Sequence, residues 1–309
     1  MKKIQYKVAV IGAGAVGATL AQRVLEGDIG DVVLVDVLKD MACAKAYDLM
    51  DAAAIKDHER TIVGTDDYSK ISSSDIVVIT AGLPRKPGMT REDLVSKNAA
   101  IVREVSEKVK TYAPGAILIV VTNPLDAMTY LAYKTTGFDR KRVIGMAGVL
   151  DGSRFVNLVS SELGLPRSEI ETYIMGSHGD TMVPVLSKTT VCGKPITEVI
   201  DKTKLDAIVK RTCDRGAEIV KLLGTGSAYY SPSAGVLKII ESIVDDAHDV
   251  LEVAAILDGE YGLKDIAIGV PCVVGKNGIE NIVELELGEE EKALFSKSAK
   301  AIKSTIELL

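Results

Sequence analysis

Four short, uninterrupted apolar runs punctuate the first half of the chain: Val8–Ile11, Val32–Val35, Ile76–Ile79 and Ile117–Val121. Each is too short for a helix and rich in β-branched residues. None alternates with polar residues as a strand with one wet face would, so each reads as a strand buried on both faces. Between them lie stretches with helical period. In Thr90–Tyr112 the apolar positions Leu94, Ile101, Val105, Val109 and Tyr112 recur at steps of three, four and seven, and Pro114 closes the pattern. Alternating buried strands and amphipathic helices predict a doubly wound α/β unit, a parallel sheet with right-handed crossovers and helices on both faces.

After about residue 148 the rhythm changes. A helix is expected over Leu150–Leu163, ended by Gly164, then strand-like alternation in Glu171–Met175 and Val183–Val191. Helices follow at Lys204–Leu223 and Pro232–Asp246, strands at Val250–Leu257, Ile268–Val274 and Ile279–Leu285, and a last helix at Glu289–Leu309. That helix has acids in its first turn and lysines later, as the helix dipole favours. Strands and helices no longer alternate, so the expected organisation is a Rossmann-like domain over 1–148 and an α+β domain over 149–309. No 20–50-residue repeat or low-complexity tract is visible.

Composition narrows the function classes. The 309 residues carry a net charge of -6 and an acidic pI near 5.3, which argues against general affinity for nucleic acid or anionic lipid. Cys43, Cys192, Cys213 and Cys272 are widely spaced and the three histidines are scattered, so neither a metal cluster nor a disulfide framework is expected. The economical reading is unpaired core thiols in a reducing cytoplasm. The N-terminus has two lysines before an apolar stretch, roughly the grammar of an export signal, but Lys7 interrupts it. No later apolar run is long enough to cross a bilayer. Only two glutamines and five asparagines occur, a scarcity seen in heat-adapted proteins.

The sequence VAVIGAGAVG sets Gly12, Gly14 and Gly17 directly after the first strand and at the head of a helix. A lone GxGxxG is weak evidence. Here Asp36 follows Gly17 by 19 residues, at the end of the second strand, where a carboxylate can bind both hydroxyls of an adenosine ribose. Gly12 permits the tight turn, Gly14 lets a pyrophosphate approach the backbone, and Gly17 lets helix and strand pack. Ala13, Ala15 and Val16 complete the loop, whose unpaired N–H groups would hold the phosphates. Asp36 would repel a 2′-phosphate, and Val37 and Leu38 supply no arginine for one. The expected cofactor is NAD, not NADP.

Polar residues elsewhere suggest chemistry. His178 lies in GSHGD; Asp151 and Arg154, three apart in LDGSRF, share a helical face; Asn123 in VTNPLD follows a buried strand, at the carboxyl edge where ligands of open sheets bind. The first two have plainer readings: a structural histidine and a solvated ion pair. The loop AGLPRKPGMTRED, Ala81–Asp93, gathers Arg85, Lys86 and Arg91 against the negative average; a solvated basic turn is its plain reading, a lid hinged at Gly82 and Gly88 the functional one.

Taken together, IGAGAVG, TAGLPRKPGMTREDL, VTNPLD, LDGSRF and GSHGD stand in the order and spacing of one family. The chain resembles the lactate/malate dehydrogenases, and among them the lactate-dehydrogenase-like malate dehydrogenases, in its motifs from Gly12 to near Ser231. The resemblance implies His178 as acid/base, Asp151 orienting its imidazole, and Arg154 gripping the substrate's C1 carboxylate. It implies Arg91 polarising the carbonyl and Arg85 meeting a second carboxylate. Asn123 would touch substrate and cofactor, while Asn98 and the backbone of Val121, Thr122 and Asn123 would line the cofactor site. Ala228 would stand at a pocket wall. With Arg154 on one carboxylate, Arg85 lacks a partner unless the substrate is a dicarboxylate, so malate and oxaloacetate are expected over lactate and pyruvate. A lactate dehydrogenase or other 2-hydroxyacid dehydrogenase is the near alternative and a non-enzymatic NAD-binding protein the distant one. The family further implies a homotetramer, with a homodimer as alternative; the cysteines, charge and hydropathy point to the cytoplasm and to neither nucleic-acid nor membrane partners.

Overall fold

The apolar runs sort their side chains by parity. In the computed structural model, which describes residues 5–84 and 90–309, Val8, Val10, Val32, Leu34, Ile76, Val78, Ile117 and Ile119 enter one core. Ala9, Ile11, Val33, Val35, Val77, Ile79, Leu118 and Val120 enter a second on the other face. Successive side chains of a strand point to opposite faces, so an unbroken apolar run is what a sheet covered on both sides requires.

The strands are β1 (Tyr6–Ile11), β2 (Gly30–Val35), β3 (Ile62–Thr65), β4 (Ile76–Ile79), β5 (Ile117–Val120) and β6 (Val143–Gly145). They pair in parallel in the order β3-β2-β1-β4-β5-β6. This is the dinucleotide-binding order, with its reversal between β1 and β4. The helices α1 (Ala15–Glu26), α2 (Lys39–Lys56), α3 (Arg91–Tyr112), α4 (Leu125–Thr136) and α5 (Gly148–Leu163) complete this half and the junction. The helix read from Thr90 begins where expected, because Thr90 and Asp93 form a reciprocal capping box.

Two strands escaped the apolar-run reading. β3 is an edge strand with Val63 half exposed and Gly64 pressed on the α2 backbone, so it has no apolar run to show. β6 has three residues. The sheet also does not stop at residue 148. Gly145 of β6 pairs antiparallel with Ala254, and the strands Asp249–Asp258, Lys264–Gly275, Ile174–Gly176 and Met182–Pro184 continue one eleven-stranded sheet, with Gly278–Ile282 attached to its side.

Two expected strands need correction. Glu171–Met175 is split: Glu171 pairs with Thr190 in a small three-stranded sheet, while Ile174 pairs with Pro184 in the large one. Val183–Val191 breaks likewise, at a 3₁₀ turn over Leu186–Lys188 just after Pro184, whose missing N–H cannot extend a ladder. The cysteines are free, but only Cys272 is buried; Cys192 is exposed, and Cys43 and Cys213 are intermediate, so the reading of four core thiols was too broad.

The junction is tied by Arg140, whose Nη1 donates to the carbonyl of Ile256 at 3.0 Å and whose Nη2 meets Glu260 Oε1 at 2.8 Å. Glu260 Oε2 in turn accepts the N–H of Asp258 at 2.7 Å. Burial alone would raise the Glu260 carboxyl, but Arg140 and the backbone donors hold it down at about 2. A carboxyl depressed in the fold stabilises above its unfolded value, and that share fades as pH falls through the folded one. Glu260→Gln is therefore expected to lower stability by about 1 kcal/mol at pH 7. The gap from wild type should narrow between roughly pH 4.5 and 2. Denaturant titrations at pH 7 and pH 3 check this; a pH-independent gap counts against the ion pair.

Candidate active site

Most of the residues expected at the site gather at the carboxyl edge of the parallel strands. The turn after β1 is fixed first: Gly12 adopts φ +111°, and its N–H donates to the Val35 carbonyl at 2.7 Å. A Cβ on Gly12 would lie 2.6 Å from both Ala81 N and Thr80 Oγ1. Gly17 is tighter, since its Cβ would stand 1.9 Å from the Gly12 carbonyl oxygen, so α1 can approach β1 only with glycine there. Gly14, the N-cap of α1, is different: no side chain caps the helix, and a Cβ there would meet nothing within 4 Å. An uncapped helix N-terminus facing open space is a seat for an anion.

Asp36 stands at the end of β2 beside this turn. Its Oδ2 accepts the N–H of Ala13 at 2.7 Å and its Oδ1 that of Leu38 at 2.9 Å. The carboxylate is thus aimed across the loop, with lone pairs left for further donors such as ribose hydroxyls. Lys45 Nζ donates to the Ala13 carbonyl. The loop, helix end and acid fit a dinucleotide with a free ribose 2′-hydroxyl.

Asn98 has a role that motif reading did not foresee. At 1% exposure, its Oδ1 accepts the N–H of Leu83 at 2.8 Å, and its Nδ2 donates to the carbonyls of Leu83 at 3.2 Å and Asn123 at 2.7 Å. Its amide therefore clamps the stem of the basic loop to the end of β5. Gly82 packs on Thr122 and Asn98 in that stem, a close approach more than a hinge. Thr122 Oγ1 donates to the Ala81 carbonyl at 2.7 Å, the Val121 N–H donates to Ile79, and both residues are buried. The side chain of Asn123 stays exposed at the mouth. Arg85, Lys86 and Gly88 lie outside the described residues, and Arg91 is located only as the first residue of α3.

The second centre is built from α5 and the loop after Ile174–Gly176. Asp151 is 1% exposed and bridges two partners: Oδ2 lies 2.7 Å from His178 Nδ1, and Oδ1 lies 3.2 Å from Arg154 Nη1. The side chains of His178 and Arg154 are each 12% exposed. The solvated-ion-pair alternative is therefore excluded. A carboxylate only accepts, so Nδ1 carries the hydrogen and Nε2 is left with the lone pair of a base. Burial would lower the His178 pKa, but the charge and hydrogen bond of Asp151 outweigh it and hold it above the usual imidazole value. Burial also lowers the Arg154 pKa against the pull of Asp151. Arg154 Nε is buried without a hydrogen-bond partner among the described residues. A buried guanidinium with an unmet donor is prepared for a bidentate anion.

Two further residues fix the histidine loop. Asp126, in the first turn of α4, accepts the His178 N–H on Oδ2 at 2.9 Å, and Ser298 Oγ accepts the Ser177 N–H at 2.7 Å. Asp126 had a signal, a carboxylate closing VTNPLD between Leu125 and the apolar Ala127 and Met128; Ser298, in the last helix, had none. Ala228 is partly buried in the connection between Lys202–Leu223 and Tyr230–Val244.

Comparison with known proteins assigns the chain's two halves to one family. Residues 6–145 match the family model described as lactate/malate dehydrogenase, NAD binding domain, and residues 148–309 match the lactate/malate dehydrogenase alpha/beta C-terminal domain. A malate dehydrogenase of Trichormus variabilis is 49% identical over 301 residues, 97% of this chain and 93% of that one. Among solved structures, Cryptosporidium parvum malate dehydrogenase superposes with a TM-score of 0.96 at 39% identity, covering 98% of each chain. The lactate dehydrogenase of C. parvum, complexed with lactic acid and β-nicotinamide adenine dinucleotide, gives 0.95 at 36%, again covering 98% of each.

The two glycines separate fold from cofactor. Gly17→Ala is expected to lower the melting temperature by several degrees and to weaken NADH binding, because α1 must move. Gly14→Ala costs at most about 1 kcal/mol of helix capping, so it should melt nearly as wild type yet bind NADH at least about tenfold more weakly, its methyl occupying the phosphate seat. NADH fluorescence and thermal melts check the pair; wild-type affinity in Gly14→Ala rules out the seat.

Proposed function

The chain belongs to the lactate/malate dehydrogenase family, NAD-dependent oxidoreductases, and from that premise we propose that it interconverts (S)-malate and oxaloacetate with His178 as acid/base. The observation that carries the reading is the buried Asp151 bridging His178 and Arg154 at 2.7 and 3.2 Å. A base and an anion receptor held by one carboxylate are what a 2-hydroxy acid needs.

Bound NAD supplies the hydride acceptor in oxidation and the donor in reduction. Arg154 holds the C1 carboxylate and so fixes the reacting carbon relative to His178. In oxidation Nε2 of His178 takes the hydroxyl proton as the carbon–hydrogen electron pair departs; in reduction it returns that proton to the forming alkoxide. Asp151 keeps Nδ1 protonated and stabilises the imidazolium. Arg91, by its place in the motif, stabilises the negative charge that grows on the substrate oxygen.

The fold does not choose between malate and lactate, since members of both kinds superpose almost equally well. Arg85, by its place in the motif, supports malate: a cation set to meet a second carboxylate rejects pyruvate, whose methyl group cannot answer it, by about 10⁴-fold or more. Relatives named malate dehydrogenase at 49% identity support the same choice. No helix among the described residues is long and apolar enough to cross a membrane. A cytoplasmic homotetramer accompanies this reading.

Rates with oxaloacetate and pyruvate, each against NADH and NADPH, test it. Oxaloacetate with NADH should dominate, and Arg85→Gln should shift activity toward pyruvate. His178→Asn should lose about 10²–10⁴-fold in kcat while still binding NADH. A wild-type preference for pyruvate sinks the dicarboxylate reading; NADH binding without turnover favours a non-enzymatic role.

A further inference from the structure

Asp126 is a costly side chain next to the histidine that the reaction above leaves unused. It is 6% exposed, its Oδ2 serves the main-chain N–H of His178 at 2.9 Å, and its Oδ1 is buried with no hydrogen-bond partner among the described residues. Holding one N–H needs only an acceptor. An asparagine would do that with no charge to bury, and an apolar residue would suit this first turn of α4, where Leu125, Ala127 and Met128 are all buried. An ionisable group kept at such a place calls for a reason in its charge.

The groups facing it supply one. His178 approaches from the loop, with Arg154 and Asp151 of α5 behind its imidazole. Asp126 itself lies in the first turn of α4, whose dipole favours an anion there. Burial pushes its carboxyl up to about 7; the His178 N–H and the imidazole charge pull the other way, and the like charge of Asp151 adds to the rise. The ionised carboxylate in turn favours the charged imidazole. Each group's charge therefore biases the ionisation of the other.

We infer that Asp126 is a positioning residue for the proton transfer. It anchors the main chain of His178 and couples its own ionisation to that of the imidazole, so that a histidine carrying the substrate's proton faces two carboxylates instead of one. The inference rests on the reading of His178 as acid/base. VTNPLD thereby serves the site twice, with Asn123 at the mouth and Asp126 behind the histidine.

The pH dependence of kcat/KM for malate oxidation by the full-length enzyme, wild type against Asp126→Asn, tests the inference. Asparagine keeps an acceptor for the His178 N–H and removes the charge. The acid-side inflection, where His178 becomes protonated and stops acting as base, should move down by about one pH unit. A purely structural Asp126 would leave it in place, and superposable profiles overturn the inference. The folded pKa of Asp126 lies above its unfolded value, so its ionised form, dominant at pH 8, disfavours the fold. The variant should thus melt no lower than wild type at pH 8. Should Asp126→Asn fail to fold, NMR titration of the wild-type imidazole, assigned by its loss in His178→Asn, decides the matter: two inflections support coupling and one step overturns it. Absence of malate oxidation in wild type at every pH would count against the proposed reaction instead, and the NMR titration would still judge the coupling.

Discussion

A carboxylate with 1% exposure must be answered by positive or hydrogen-bonding groups, and at Asp151 that requirement organises the site. One oxygen faces His178 and the other Arg154. The same atom pair therefore fixes a tautomer, supports an imidazolium and orients a guanidinium. Removing Asp151 would leave a buried arginine and a histidine free to turn. Neither α5 nor the histidine loop could provide the arrangement alone: the helix brings Asp151 and Arg154, and the loop after Ile174–Gly176 brings His178. Between the strand that leads into α5 and the one that leads into His178 lie Asp249–Asp258 and Lys264–Gly275, so the antiparallel half of the sheet spaces the two contributors.

The sheet sets distances that sequence separation hides. Its parallel half brings Gly12, Asp36, Thr80 and Val121 to one edge by the geometry of right-handed crossovers. Its antiparallel half carries the strand that ends at Gly176 and hands the chain to His178. Both cores that cover the sheet must be filled for that edge to hold still. The apolar runs are unbroken for this reason, and it connects their composition directly to the precision of the site.

Much of this was legible in the residues. The both-face burial of β1, β2, β4 and β5 followed from their lack of alternation, and the start of α3 from its own cap. The glycine turn and Asp36 were readable because a phosphate seat needs small residues at fixed steps. Other features were not. β3 and β6 were too short or too exposed to carry a pattern. The breaks at Thr172 and Pro184 depend on which sheet each residue joins, a tertiary decision that local alternation does not encode. Burial of the Asp151–Arg154 pair was open for the same reason: three-residue spacing gives a shared face but not what covers it. Asn98 and Ser298 act on backbone groups far along the chain, and such roles leave no mark in spacing. Arg85, whose motif position bears on substrate choice, falls outside the described residues.

The clamp made by Asn98 has a wider consequence. One end of the basic loop is fastened through both main-chain groups of Leu83, and the other begins a helix whose Thr90–Asp93 box sets its own start. Asn98 belongs to α3 as well, so both ends are set by that one helix, the first through a side chain and the second through its opening turn. Whatever moves α3 against the sheet therefore carries both ends of the loop with it.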